Sequence, residues 1–129
     1  MTTQTTASPA DTGVSTPRPD AALDWFTSRG YTLLEHNPVP ACHEVNLVLL
    51  APERASLVLV DVQSLLGGGI SIIGPGPALS RRLREMVRIA RQWVAGRPDL
   101  ADLPRRFDVL EIEDHSISHY EDLRADEEV

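Results

Sequence analysis

Lysine is missing from this chain: all 12 basic residues among its 129 are arginine. Any step that needs a side-chain ammonium is therefore excluded. Cysteine occurs once, as Cys42, so no internal disulfide can form. A lone cysteine fits a reducing interior, and the cytoplasm is the expected location. Long apolar runs are also lacking. The longest, near 47–51 and 57–60, are far too short to span a bilayer, so no membrane partner is expected. The first twenty residues hold almost nothing apolar to bury. They are rich in Thr, Ser, Ala and Pro, and are expected to form a disordered arm. That arm has no apolar run of the signal-peptide kind, and with acids and a single arginine it makes a poor transit peptide.

What remains is one domain, expected over 21–123, followed by an acidic tail over 124–129. The net charge of −7 argues against a generally basic coat. The charge is uneven, however. Residues 80–97 carry six arginines and one glutamate, a local balance of +5, which leaves −12 for the rest. A bound polyanion would have to meet that arginine segment.

The pattern along the chain is that of an α/β domain. A short helix is expected over Ala21–Arg29, with an apolar stripe of Ala22, Leu23, Trp25 and Phe26, a cap at Asp20, and Gly30 just past its end. Tyr31–Leu34 reads as a strand. Glu44–Leu50 and Ser56–Val62 read as central strands joined by a turn over 51–55; their near-continuous Val and Leu content suits burial on both faces. The interval from Gly67 to Pro77, with five glycines and two prolines, reads as a loop. Leu79–Ala95 is the clearest helix. Leu83, Met86, Val87, Ala90 and Val94 form its apolar face, and Arg81, Arg84, Arg88 and Arg91 form a stripe on another. Phe107–Ile112 reads as a strand, and Ile117–Leu123 as a strand or short helix. These elements build a mixed central sheet flanked by helices.

Four polar residues sit where strands end: Glu44 and Asn46 on one, Asp61 and Gln63 on the next. Alternation puts each pair on a single face, and pairing of the two strands would bring all four together. Phosphodiester hydrolysis uses such a cluster. Carboxylates hold Mg²⁺, the metal polarises phosphate and acidifies a water, and a lysine steadies the hydroxide. Here Asn46 brings an oxygen without charge, and Gln63 can orient a water but brings no cation. The plain alternative is a set of polar groups where strands meet solvent.

A resemblance bears on that choice. The segment from Trp25-Phe26 through Gly30-Tyr31 to Asn37 resembles the opening of the YraN-type family, small bacterial proteins with a restriction-endonuclease-like fold, similar to archaeal Holliday-junction resolvases. His43-Glu44-Val45-Asn46-Leu47-Val48 stands where the family has Gly-Glu-Ile-Asp-Leu-Ile. Leu59-Val60-Asp61-Val62-Gln63 stands for Phe-Val-Glu-Val-Lys, and Arg106-Phe107-Asp108-Val109-Leu110 for Arg-Phe-Asp-Val-Val. Arg82-Leu83 with Ala90, and Ile117-Ser118-His119-Tyr120, are similar to later family elements. The resemblance implies Glu44 and Asp61 as remnant metal ligands, Asn46 as a weakened one, and Gln63 as the vestige of the catalytic lysine. The family's early Gly-Glu pair would fall near Arg18-Pro19, its arginine at Leu65, and its helix lysine near Leu79; none is kept.

The expectation is a restriction-endonuclease-like protein that has lost most of its cutting chemistry and keeps nucleic-acid binding, with DNA as the partner, through Arg81, Arg84, Arg88 and Arg91. One rival is a slow Mg²⁺- or Mn²⁺-dependent endonuclease acting on branched or damaged DNA. A second is a non-catalytic module that meets another protein through its acidic tail or a sheet edge. A homodimer is implied only by the likeness to resolvases. Cys42, His43 and Glu44, and likewise His115 and His119, lack zinc spacing and read as surface residues. The glycine clusters lack the Lys-Ser/Thr of a phosphate loop.

Overall fold

A computed structural model describes residues 3–7, 19–38, 45–65, 71–73, 77–113 and 116–124. The elements are β1 (Thr3–Ala7), α1 (Pro19–Thr27), β2 (Thr32–His36), β3 (Leu47–Leu50), β4 (Leu57–Ser64), α2 (Ala78–Ala95), β5 (Arg105–Ile112) and β6 (Ile117–Glu121). Short 3₁₀ turns occupy Pro52–Arg54 and Pro98–Leu100. The strands form one sheet in the order β1-β6-β5-β4-β3-β2. Only β4 and β5 are parallel neighbours, and α2 lies in the long connection that such a pair requires. The remaining pairs are antiparallel. This mixed α/β architecture is consistent with the restriction-endonuclease-like fold.

Each face of the sheet has its own apolar layer. Leu57 and Leu59 of β4 meet Leu83, Met86, Ile89, Ala90, Trp93 and Val94 of α2. Val58 and Val60, the alternate side chains, meet Ala21, Ala22, Trp25 and Phe26 of α1. β4 is thus covered on both sides, as its unbroken run of Val and Leu predicts. Val87 is only half-buried; Ile89 and Trp93 complete the buried face of α2 in its place.

The end of α1 is closed by a local device. Tyr31 N–H donates to Phe26 C=O at 3.1 Å, and Gly30 N–H to Thr27 C=O at 3.1 Å. Gly30 takes φ +92°, the left-handed turn that this pair of bonds needs. The far end of α2 is fastened to β2: Trp93 Nε1–H and Arg97 Nη2–H both donate to Glu35 Oε1, at 2.7 and 2.9 Å.

The structure differs from the sequence expectations at several places. Thr3–Ala7, placed in a disordered arm, pairs antiparallel along β6; threonines suit a strand, and β6 would otherwise offer an open edge. Helix α1 starts at Pro19, so Asp20 lies inside its first turn and is not its cap. Residues 117–121 settle as strand. His119, expected at the surface, is buried. Cys42, His43, Glu44, His115, the glycine clusters of 67–69 and 74–76, and the tail from 125 onward lie outside the described residues. Among the described residues no helix is long and apolar enough to cross a membrane.

The reason for His119 is a polar network on the α1 side of the sheet. Trp25 Nε1–H donates to His119 Nδ1 at 3.2 Å, which makes Nδ1 an acceptor. The ring proton therefore sits on Nε2, which donates to Asp108 Oδ2 at 2.7 Å. Arg106 donates to both Asp108 oxygens, at 3.0 and 2.7 Å, and also to the Tyr31 hydroxyl. The backbone N–H of Asp122 adds a further bond to Asp108 Oδ1 at 3.0 Å. One buried carboxylate thereby joins α1, β5, β6 and the turn after β6.

Removing that carboxylate leaves Arg106 and His119 facing an apolar layer. Asp108→Ala is expected to lose about 3–5 kcal/mol in urea denaturation. Burial pushes the Asp108 carboxyl up, but hydrogen bonds from His119 and Arg106 and the arginine charge outweigh it and hold it below its ordinary 3.8. A carboxyl lowered in the folded state stabilises above its unfolded value and loses that contribution as pH falls towards the folded one. The stability gap between wild type and Asp108→Asn should stay level above about pH 4 and narrow below it.

Candidate functional site

The carboxyl ends of the two parallel strands, on the α2 side of the sheet, gather the remaining buried polar groups. Alternation along β4 puts Asp61 and Gln63 in line with Leu57 and Leu59, facing α2. Asp61 is completely buried. Its Oδ1 accepts from Gln63 Nε2 at 2.7 Å, and its Oδ2 lies 3.5 Å from Arg82 Nη1.

Asn46 brackets Asp61. Its backbone N–H donates to Val60 C=O at 2.8 Å, and its Oδ1 accepts the Val62 N–H at 2.6 Å. The backbone C=O of Asn46 takes the Asn37 N–H at 2.8 Å. Regular pairing of β3 with β4 stops at Leu47 and Val60, so the amide oxygen supplies the acceptor that the ladder no longer provides to Val62. Of the four residues expected to meet, Gln63 touches Asp61, while the Asn46 side chain touches the backbone of Val62. Their fourth member, Glu44, lies outside the described residues.

On the neighbouring strand, Glu111 stands in register with Gln63 and is also buried. It accepts a hydrogen bond from Ser71 Oγ, which ties the connection between β4 and α2 to the sheet. Ser118 of β6 pairs with Glu111, and Tyr120 lies two residues further along the same face. Burial first, and then the charge of Glu111, push the Tyr120 phenol above its ordinary value.

Arg81, Arg84, Arg88 and Arg91 are not part of this pocket. All four are exposed on the outer side of α2. Arg88 Nη2 meets Glu85 Oε1 at 2.7 Å, an ordinary pair one turn apart on a helix surface. Arg82 is the basic side chain that turns inward. Sequence patterning misses it because Arg82 sits one position off the stripe, next to the buried Leu83. Glu111 and Asp108 carry a clearer signal, since each is an acid among the apolar residues from Phe107 to Ile112.

The resemblance implies Mg²⁺ or Mn²⁺, and the donor set can be tested for it. A small hard cation needs oxygen ligands whose lone pairs are open to it. Here the Asp61 oxygens face an amide N–H and a guanidinium, and the Asn46 oxygen faces a backbone N–H. Among the described residues no three His, Cys, Asp or Glu side chains come together as metal ligands would. Among the described residues these contacts suit a guanidinium, and a divalent ion would have to displace them. At such a separation, opposite charges attract by about 4 kcal/mol in the dielectric typical near a protein surface, which offsets part of the cost of burying Asp61.

Known proteins resemble this chain in sequence. A sequence profile described as "Uncharacterised protein family UPF0102" matches residues 20–112, from the first turn of α1 to the end of β5. A UPF0102 protein of Maricaulis maris (strain MCS10) is 29% identical over 89 residues, covering 69% of this chain and 66% of that protein's length. The match takes in both helices, the central strands and the pocket between them, and the chain belongs to the uncharacterised protein family UPF0102.

Proposed function

We propose that this chain is a nuclease-fold protein impaired in cleavage, and that it binds nucleic acid through the outer arginines of α2. The observation that carries this reading is the state of the strand-end cluster. Gln63 stands where hydrolysis would want an ammonium, and both Asp61 oxygens face side-chain nitrogens. A glutamine amide is neutral, so it cannot stabilise a developing hydroxide by charge. No lysine exists anywhere in the chain to replace it.

The binding half rests on placement. Arg81, Arg84, Arg88 and Arg91 are exposed along one helix, within the segment of local charge +5 in a chain of net −7. Guanidinium groups bond phosphate oxygens in pairs, and exposure leaves them able to turn towards a backbone. The strongly acidic remainder opposes approach elsewhere, so binding should be local and weakened by salt.

Fluorescence anisotropy with duplex and single-stranded DNA tests the binding half. Affinity should fall steeply with salt, and Arg84→Ala/Arg88→Ala should reduce the slope of log K against log salt by about 2. Binding that ignores both arginines would refute it. For the cleavage half, a Mn²⁺ assay on branched and linear DNA should give no turnover. Cutting that disappears in Asp61→Ala would show an active enzyme.

A further inference from the structure

We infer that Arg82 is the resident cation of the strand-end pocket, so that its guanidinium occupies the electrostatic place of a divalent metal beside Asp61. The carboxylate is fully buried and its Oδ2 lies 3.5 Å from Arg82 Nη1, while the Arg82 side chain retains 25% exposure. Arg82 therefore reaches inward from the rim of the pocket, as an entering ion would. Its position is set by the helix: Leu83 and Met86, anchored in the apolar layer over β4, hold that turn of α2 against the sheet.

The other described donors point the same way. Gln63 gives its amide N–H to Asp61 Oδ1 at 2.7 Å, and Val62 gives its backbone N–H to Asn46 Oδ1 at 2.6 Å. An ion entering here would have to displace the guanidinium ion-paired with Asp61 and compete for the oxygen of Asn46. Mg²⁺ demands near-ideal oxygen geometry and gives up water reluctantly, and Mn²⁺ likewise prefers open oxygen ligands, so both lose this competition. A single guanidinium replaces only part of a divalent charge, and its described contact here is with the Asp61 carboxylate. The inference rests on the degenerate reading of the site. It concerns metal occupancy alone, and so it can fail while nucleic-acid binding stands.

The consequence is that removing the arginine uncovers a metal site. Mn²⁺ titration followed by electron paramagnetic resonance reads this directly, with free Mn²⁺ as the probe. The wild-type chain and Arg82→Lys should leave Mn²⁺ in solution up to about 1 mM. Arg82→Gln should take up one Mn²⁺ at least about tenfold more tightly than wild type. Its melting temperature should drop in EDTA and recover with Mn²⁺. Arg82→Gln/Asp61→Asn should lose that uptake, which assigns it to Asp61. Wild-type binding as tight as that of Arg82→Gln overturns the inference, as does a folded Arg82→Gln that gains no Mn²⁺. Should Arg82→Gln fail to fold, wild type and Asp61→Asn decide. Uptake by wild type that Asp61→Asn abolishes refutes the inference, and no uptake by either upholds it.

Discussion

Asp61 follows four side chains of β4 that are wholly shut off from water, and it is itself just as buried. A carboxylate in that position has to find its donors within the protein or not remain charged. This requirement organises everything at that end of the sheet. It draws the Gln63 amide back along its own strand and Arg82 inward from α2. It also makes the residue just before β3 matter, since Asn46 keeps the backbone on either side of Asp61 in place. The same rule applies on the opposite face, where Asp108 is met by Arg106 and His119 and that pairing fastens α1 to β5 and β6.

The two buried carboxylates have different consequences. Asp108 is enclosed by three donors, Arg106, His119 and the Asp122 N–H, with Trp25 fixing the histidine tautomer from outside. That arrangement is saturated and serves to hold the layers together. Asp61 lies beside the carboxyl ends of two parallel strands and under a partly exposed arginine. Pockets in α/β sheets form at such ends. A group there with an exchangeable partner is a place where ligand and protein side chain compete for the same carboxylate.

Much of the fold is legible in the sequence because it follows from local periodicity. The unbroken Val and Leu of β4 announce a strand covered on both faces, and the spacing of Leu83, Met86 and Ala90 announces a helix lying on it. Gly30 announces the end of α1 through its backbone freedom. The polar partnerships are less visible. Trp25 and His119 stand 94 residues apart, and nothing in either segment announces the other. His119 therefore reads as a surface residue until the sheet places it. Arg82 is hidden for a related reason. Its neighbours Arg81 and Arg84 point outward, and only the rotation of α2 on the sheet decides which arginine faces Asp61. The N-terminal strand escapes notice because pairing with β6 compensates for its lack of apolar side chains.

What neighbours Asp61 decides whether this pocket holds an arginine or a metal. A crystal structure of the wild-type protein grown with Mn²⁺, with anomalous scattering collected at the manganese edge, answers this directly. The Arg82 guanidinium should lie on Asp61, with no anomalous peak within coordination distance of its oxygens. A manganese ion held by Asp61, with Arg82 swung away, would contradict it.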